Sequence, residues 1–144
     1  MRNIPKILAG ASAAAVLIVG LALSPTVYAG LGAKGEMPGK KACKSAMKAG
    51  KDRVLMGGCV ATDRKGGNCF ACHYFKGLEK TRIQAGDFGP ALAAMTARFS
   101  KEQLRARVFD APKITPDSSM PPFGRHKILS GKEIDLVVDW LMTL

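Results

Sequence analysis

A chain of 144 residues bounds the answer to one domain. Lys and Arg number 22 against 11 Asp and Glu, a net charge of +11. The lysines are not interleaved with aromatic residues and the chain carries export features, which together argue against nucleic acid as a partner.

The first 29 residues read as a secretory signal. "MRNIPK" supplies Arg2 and Lys6, an apolar run extends from Ile7 to Leu23, and "SPTVYAG" places Val27 and Ala29 at the small-residue positions of a cleavage site. The run is slightly short for a membrane anchor, and Pro25 with the Val-x-Ala site favours cleavage after Ala29. No cysteine stands at the cleavage point to take a lipid. The expected mature chain, residues 30–144, is therefore periplasmic and free of the membrane. Its length suffices for one modest core, helped by a large buried cofactor if one is bound. Its charge is uneven: residues 30–65 hold nine basic and three acidic side chains, against eleven and eight from Gly66 onward. A positive N-terminal extension of this kind steers acidic partners.

Within that extension, "KKACKSAMKAGKDRVLMGG" predicts a helix with Ala42, Cys43, Ala46 and Met47 on one face, stopping at Gly57-Gly58. The core, residues 66–144, opens on "GGNCFACHYFKG". Cys69, Cys72 and the adjacent His73 admit three readings: a thioredoxin-type redox pair, half of a zinc site, or attachment of haem c. The redox reading wants a βαβ setting, and no alternating strand pattern flanks the motif. The zinc reading wants a second ligand pair at finger-like spacing. Cys43 and Cys59 are sixteen apart, and His126 is the one other histidine. The haem reading explains the spacing. Residues three apart on a helical turn face one side, so both sulfurs reach one edge of the ring. His73 then falls under the iron as proximal ligand.

"GPALAAMTARF" predicts a helix with Pro90 at its first position. "SKEQLRARVFD" opens with a Ser100–Gln103 capping box, carries Leu104 and Val108 one turn apart, and ends at "DAP". The stretch "ITPDSSMPPFGRHKI" follows. Pro116, Pro121, Pro122 and Gly124 forbid regular helix or central strand there, so Met120 sits in a stiff irregular loop with no helix face to pack. That rigidity suits a ligand that must meet iron at a fixed distance. Met120 is preferred as the second axial ligand over His126, which lies outside the stiff part between Arg125 and Lys127 and reads as solvated. The other methionines of the mature chain read as packing residues or as part of the glycine- and lysine-rich opening. Finally, "SGKEIDLVVDWLMTL" repeats the capping device with Ser130 and Glu133, followed by the stripe Ile134, Val137, Val138 and Leu141. The fold class expected is all-α, wrapped round a flat cofactor.

Cys-x-x-Cys-His near the start, "GPAL", a methionine loop and a closing amphipathic helix, in this order, resemble a class I c-type cytochrome over nearly the whole mature chain. "GNCFACH", "GPAL", "SSMPPFG" and "ILSGKEIDLVVDWL" more closely resemble the SoxX family, the monohaem subunits of SoxAX complexes. The resemblance implies one covalent haem c on Cys69 and Cys72, with axial ligands His73 and Met120 and the Pro90 carbonyl orienting the His73 ring. It implies a heterodimer with SoxA, which holds the reactive cysteine beside its own haem. That complex, an L-cysteine S-thiosulfotransferase, couples thiosulfate oxidatively to a cysteine of the SoxYZ carrier. The SoxX subunit is not catalytic alone and passes electrons to a mobile cytochrome. The alternative is a free periplasmic electron shuttle. A haem sensor or peroxidase with an open iron position is disfavoured by Met120, since a His/Met pair fills both axial sites. With two cysteines spent on haem, Cys43 and Cys59 are left in an oxidising compartment as candidates for a disulfide, against the alternative of two packed thiols.

Overall fold

The computed structural model describes residues 37–144. The expected signal at 1–29 and the opening of the basic extension lie outside the described residues. Five α-helices are present among those described: α1 (Lys40–Ala49), α2 (Arg53–Thr62), α3 (Met95–Arg98), α4 (Lys101–Ile114) and α5 (Gly131–Leu141). Two short 3-10 turns occur at Cys69–Ala71 and Leu78–Lys80, and the β contact is a single parallel bridge between Phe75 and Leu92. The described chain is all-α.

The single helix expected through residues 40–58 is two helices. Gly50 adopts a left-handed φ of 62° and its N–H caps the Ala46 carbonyl, ending α1. Asp52 then starts α2 by accepting a hydrogen bond from the Leu55 N–H at 3.0 Å. Nor do Gly57 and Gly58 stop a helix, because α2 runs on through them to Thr62. Their physical role is contact with α5. A β-carbon on Gly57 would stand 1.9 Å from the Leu136 carbonyl oxygen, and one on Gly58 would stand 3.0 Å from the Trp140 ring. The backbones of α2 and α5 therefore meet with no side chain between them.

Met47 also departs from expectation. It is 48% exposed, while Ala46 turns inward with Leu55 and Cys59 to form a small cluster apart from the main core. Cys43 and Cys59 are bonded, with Cα atoms 5.5 Å apart. A closed loop of this length is worth about 3 kcal/mol on the chain-entropy account.

The main core lies between α2, α4 and α5. On α5, Ile134, Val137, Val138, Trp140 and Leu141 are all buried, each worth about 1.5–3 kcal/mol relative to exposure. Trp140 meets the Phe75 ring edge-on, with centroids 5.0 Å apart. At the rim, Asp139 of α5 pairs with Arg53 of α2 at 2.7 Å and with Lys101 of α4. Burial alone would raise the Asp139 pKa, but hydrogen bonds and charge from Lys101 and Arg53 outweigh it and hold the carboxyl below its ordinary value. Both expected capping boxes are formed, Ser100 with Gln103 and Ser130 with Glu133. The "DAP" segment breaks α4 without ending it. Asp110 has non-helical φ −154° and ψ 80°, and a further turn follows with Pro112 near its start, where a missing N–H costs little.

Gly57→Ala gains up to about 1 kcal/mol of helix propensity, but the Leu136 carbonyl forbids the added methyl. The expected outcome is a net loss of about 1–3 kcal/mol in urea unfolding. Gly58→Ala, which meets side chains that can shift, should lose less; a Gly57→Ala protein more stable than wild type would contradict the close crossing.

Candidate cofactor site

Where α2 ends, the chain turns back on itself. The Gly67 N–H donates to the Val60 carbonyl at 3.2 Å and the Asn68 N–H to the Asp63 carbonyl at 2.9 Å. The 3-10 turn follows at once, and the N–H groups of Cys72 and His73 both donate to the Cys69 carbonyl, at 3.2 and 2.9 Å. This turn brings Cys69, Cys72 and His73 to one cavity.

A second segment lies against the first. The N–H groups of Gly86, Gly89 and Leu92 donate to the carbonyls of Phe70, Cys72 and Tyr74 at 3.0, 2.8 and 2.8 Å. Pro90 lies in this non-helical run, and helix begins only at Met95, so Pro90 is not a first helical residue. The competing demand is its carbonyl, which stands 2.6 Å from His73 Nδ1. A carbonyl can only accept, so Nδ1 carries the proton and the Nε2 lone pair is left for a ligand. Gly89 makes this approach possible, because a β-carbon there would stand 2.3 Å from His73 Cε1.

Met120 comes to the same cavity from the loop after α4. It is half-buried against the core, and its N–H donates to Ser118 Oγ at 3.3 Å. His126 is exposed and does not line the cavity. The cavity has a volume of about 770 Å³, within the range of about 300–1,000 Å³ for small-molecule and cofactor sites. Its apolar wall is the core itself, including Met95, Leu104, Val108, Leu129, Val137 and Leu141.

Sequence reasoning missed three arginines. Arg64, Arg98 and Arg107 line the cavity. Arg64 lies over the Phe70 ring at 5.6 Å, while Arg98 and Arg107 lie over the Phe99 ring at 5.2 and 5.1 Å. Arg98 belongs to α3 and Arg107 to α4, so no periodic pattern joins them. The arginine and aromatic residues near each other in the sequence were the available signal.

The thiol environment bears on the readings of the motif. Burial pushes the Cys69 pKa up to about 12, its own backbone hydrogen bond opposes the rise, and the charge of Cys72 adds to it. A redox nucleophile needs the opposite shift. A zinc site lacks its second pair, since Cys43 and Cys59 are bonded to each other. Cys69 and Cys72 are not disulfide-bonded. The cavity is faced by the Cys69 and Cys72 thiols, the His73 imidazole and the Met120 thioether. No protein-family model matches the chain, and no curated protein matches it.

In folded protein made without residues 1–29, Cys69 should be almost wholly thiol at pH 8, and alkylation should accelerate as pH approaches 12. Because the folded pKa is raised, its stability contribution is complete below about pH 9 and is lost as pH rises toward 12. Rapid alkylation of folded Cys69 at pH 8, followed by peptide mapping, would contradict this.

Proposed function

We propose that this chain is an electron-transfer protein carrying one covalent haem c. The observation that carries the reading is the convergence of Cys69, Cys72, His73 and Met120 on one cavity of about 770 Å³ walled by core side chains. The cavity lies against the core and opens past exposed Arg64 and Phe88, and a cleft of this size would admit a large flat group. The donor set fits as well. Cys69 and Cys72, which are not disulfide-bonded, would suit thioether attachment, and the His73 imidazole and the Met120 thioether would suit as ligands to the iron. Bound haem would supply a one-electron iron couple.

The chain's own residues do the rest. Cys69 and Cys72 would hold the group against loss, and the Pro90 carbonyl orients the His73 ring through Nδ1. The apolar wall excludes water, which tunes the potential. If His73 and Met120 both held the iron of a bound haem, a substrate sulfur would find no open site there, and bond-making would belong to another chain. Together with the resemblance of the methionine loop and closing helix, this supports a SoxX-like role beside SoxA, with electrons passed to a mobile cytochrome. Helix α1 supports an acidic partner: Lys40, Lys41, Lys44 and Lys48 are all exposed, and Ala46 is buried on its inner face.

Denatured protein should keep haem-dependent peroxidase staining on a gel, and Cys72→Ala should weaken or lose it. Oxidised protein should show the weak near-infrared sulfur-to-iron band; Met120→Ala should abolish it and His126→Ala should not. Staining lost from wild type on denaturation, or the reverse pattern in the two variants, would overturn the site.

A separate experiment addresses the partner. With SoxA, SoxYZ, thiosulfate and an electron acceptor, thiosulfate should become attached to the carrier and this haem reduced only when SoxA is present. Association with SoxA should weaken as salt rises. Equal rates with and without this chain, or no association at low salt, would favour the free shuttle.

A further inference from the structure

The loop that carries Met120 is hydrogen-bonded to α4 at the break at Asp110, and its Phe123 is buried in the main core. In an unbroken helix each carbonyl is committed to the N–H four residues on. The non-helical φ −154° and ψ 80° of Asp110 open the Phe109 carbonyl to the loop. It accepts hydrogen bonds from the N–H groups of both Gly124 and Arg125, at 3.0 and 3.2 Å. The Asp110 carboxylate, with a side chain 12% exposed, then pairs through Oδ2 with Arg125 Nε at 2.9 Å. Its other oxygen, Oδ1, is buried with no hydrogen-bond partner among the described residues, so the carboxylate depends on Arg125 for compensation. Gly124 permits the approach, since a β-carbon there would stand 2.0 Å from the Phe109 ring. Between this fastening and the end of α4 lies the span that holds Met120.

We propose that Asp110 and Arg125 form a clamp that holds the methionine loop against the cavity, acting as positioning residues for the Met120 thioether. The inference rests on the reading of Met120 as an iron ligand. In the sequence, "DAP" marks the break but not the pair, which spans a turn-rich loop. The clamp sets how often the thioether lets go. An added ligand can take the sixth position only in molecules whose loop has opened, so its apparent affinity follows the open fraction.

The test is titration of the oxidised holoprotein with imidazole, followed by loss of the near-infrared sulfur band. Asp110→Asn and Arg125→Ala should each saturate at about tenfold lower imidazole than wild type, the change produced by about 1.4 kcal/mol. Arg105→Ala is the control. It removes the exposed Arg105–Asp135 pair, 2.7 Å long and also on α4, without touching the loop, and should leave the titration unchanged. Arg125 has a side chain 52% exposed, so its variant tests the clamp even if Asp110→Asn fails to fold.

Amide hydrogen exchange gives a readout that does not need the iron. The amides of Gly124 and Arg125 should exchange about tenfold faster in Arg125→Ala, while those of Val137 and Val138 in α5 should not change. Equal imidazole affinity in wild type, Asp110→Asn and Arg125→Ala, or unchanged exchange at Gly124 and Arg125, overturns the clamp. A wild type with no sulfur band overturns the ligand reading instead, and the exchange rates then decide the clamp alone.

Discussion

Gly57 brings α2 against the Leu136 carbonyl with no room for a β-carbon, and the placement of the cavity follows from that contact. With the crossing fixed, the end of α2 at Thr62 is fixed too. The next turn is hydrogen-bonded back to Val60 and Asp63, so Cys69, Cys72 and His73 are set at a defined place relative to α5. Helix α5 in turn supplies Val137 and Leu141 to the cavity wall. A wider crossing would shift the thiols and the apolar wall relative to each other. The Arg53 and Lys101 contacts to Asp139 trim the same junction at its rim, but exposed cations contribute little there beside backbone contact.

The cavity has two halves of different construction. The half around His73 is made of backbone: N–H to carbonyl bonds align residues 86–92 with 70–74, and the Pro90 carbonyl is delivered to Nδ1 at 2.6 Å. The half around Met120 is a loop hung from a break in α4. Backbone registry resists displacement over its whole length, whereas the polar contacts of the loop with α4 gather at Phe109 and Asp110, beside the buried Phe123. In the function proposed here, that asymmetry makes the imidazole the permanent ligand and the thioether the exchangeable one.

Much of this was legible in the sequence. The Cys69-Phe70-Ala71-Cys72-His73 spacing, the two Ser capping boxes and the α5 stripe each rest on local chemistry, and local chemistry survives folding. The irregular loop around Met120 was legible for the same reason, since three prolines leave a loop few shapes. What was not legible depends on long-range contact. Gly57 and Gly58 carry the local signature of a helix stop, and only the presence of Leu136 and Trp140 makes them helix interior. Pro90 carries the signature of a helix start, but the backbone bonds of Gly89 and Leu92 to Cys72 and Tyr74 hold it in a non-helical run against His73. The break at Asp110 was half-read: "DAP" marks the position, but not that the chain resumes a turn and uses the freed carbonyl for the loop.

Helix α1 shows the same conflict between levels in its sharpest form. Lys40, Lys44 and Lys48 stand at i, i+4 and i+8, so they repel along one face. Lys40 and Lys41 place cations in the first turn, against the helix dipole, and Gly39 offers no side-chain cap. A ten-residue helix so built is marginal in isolation. Among the described residues none of these lysines pairs with a carboxylate. What holds α1 is the bond from Cys43 to Cys59 and the packing of Ala46 on Leu55. The disulfide thus supplies the stability that the lysine face removes. Such a conflict between local preference and fold is the pattern expected where a surface serves contact rather than folding. In the function proposed here, the lysine face meets an acidic partner and Cys43–Cys59 keeps it presented.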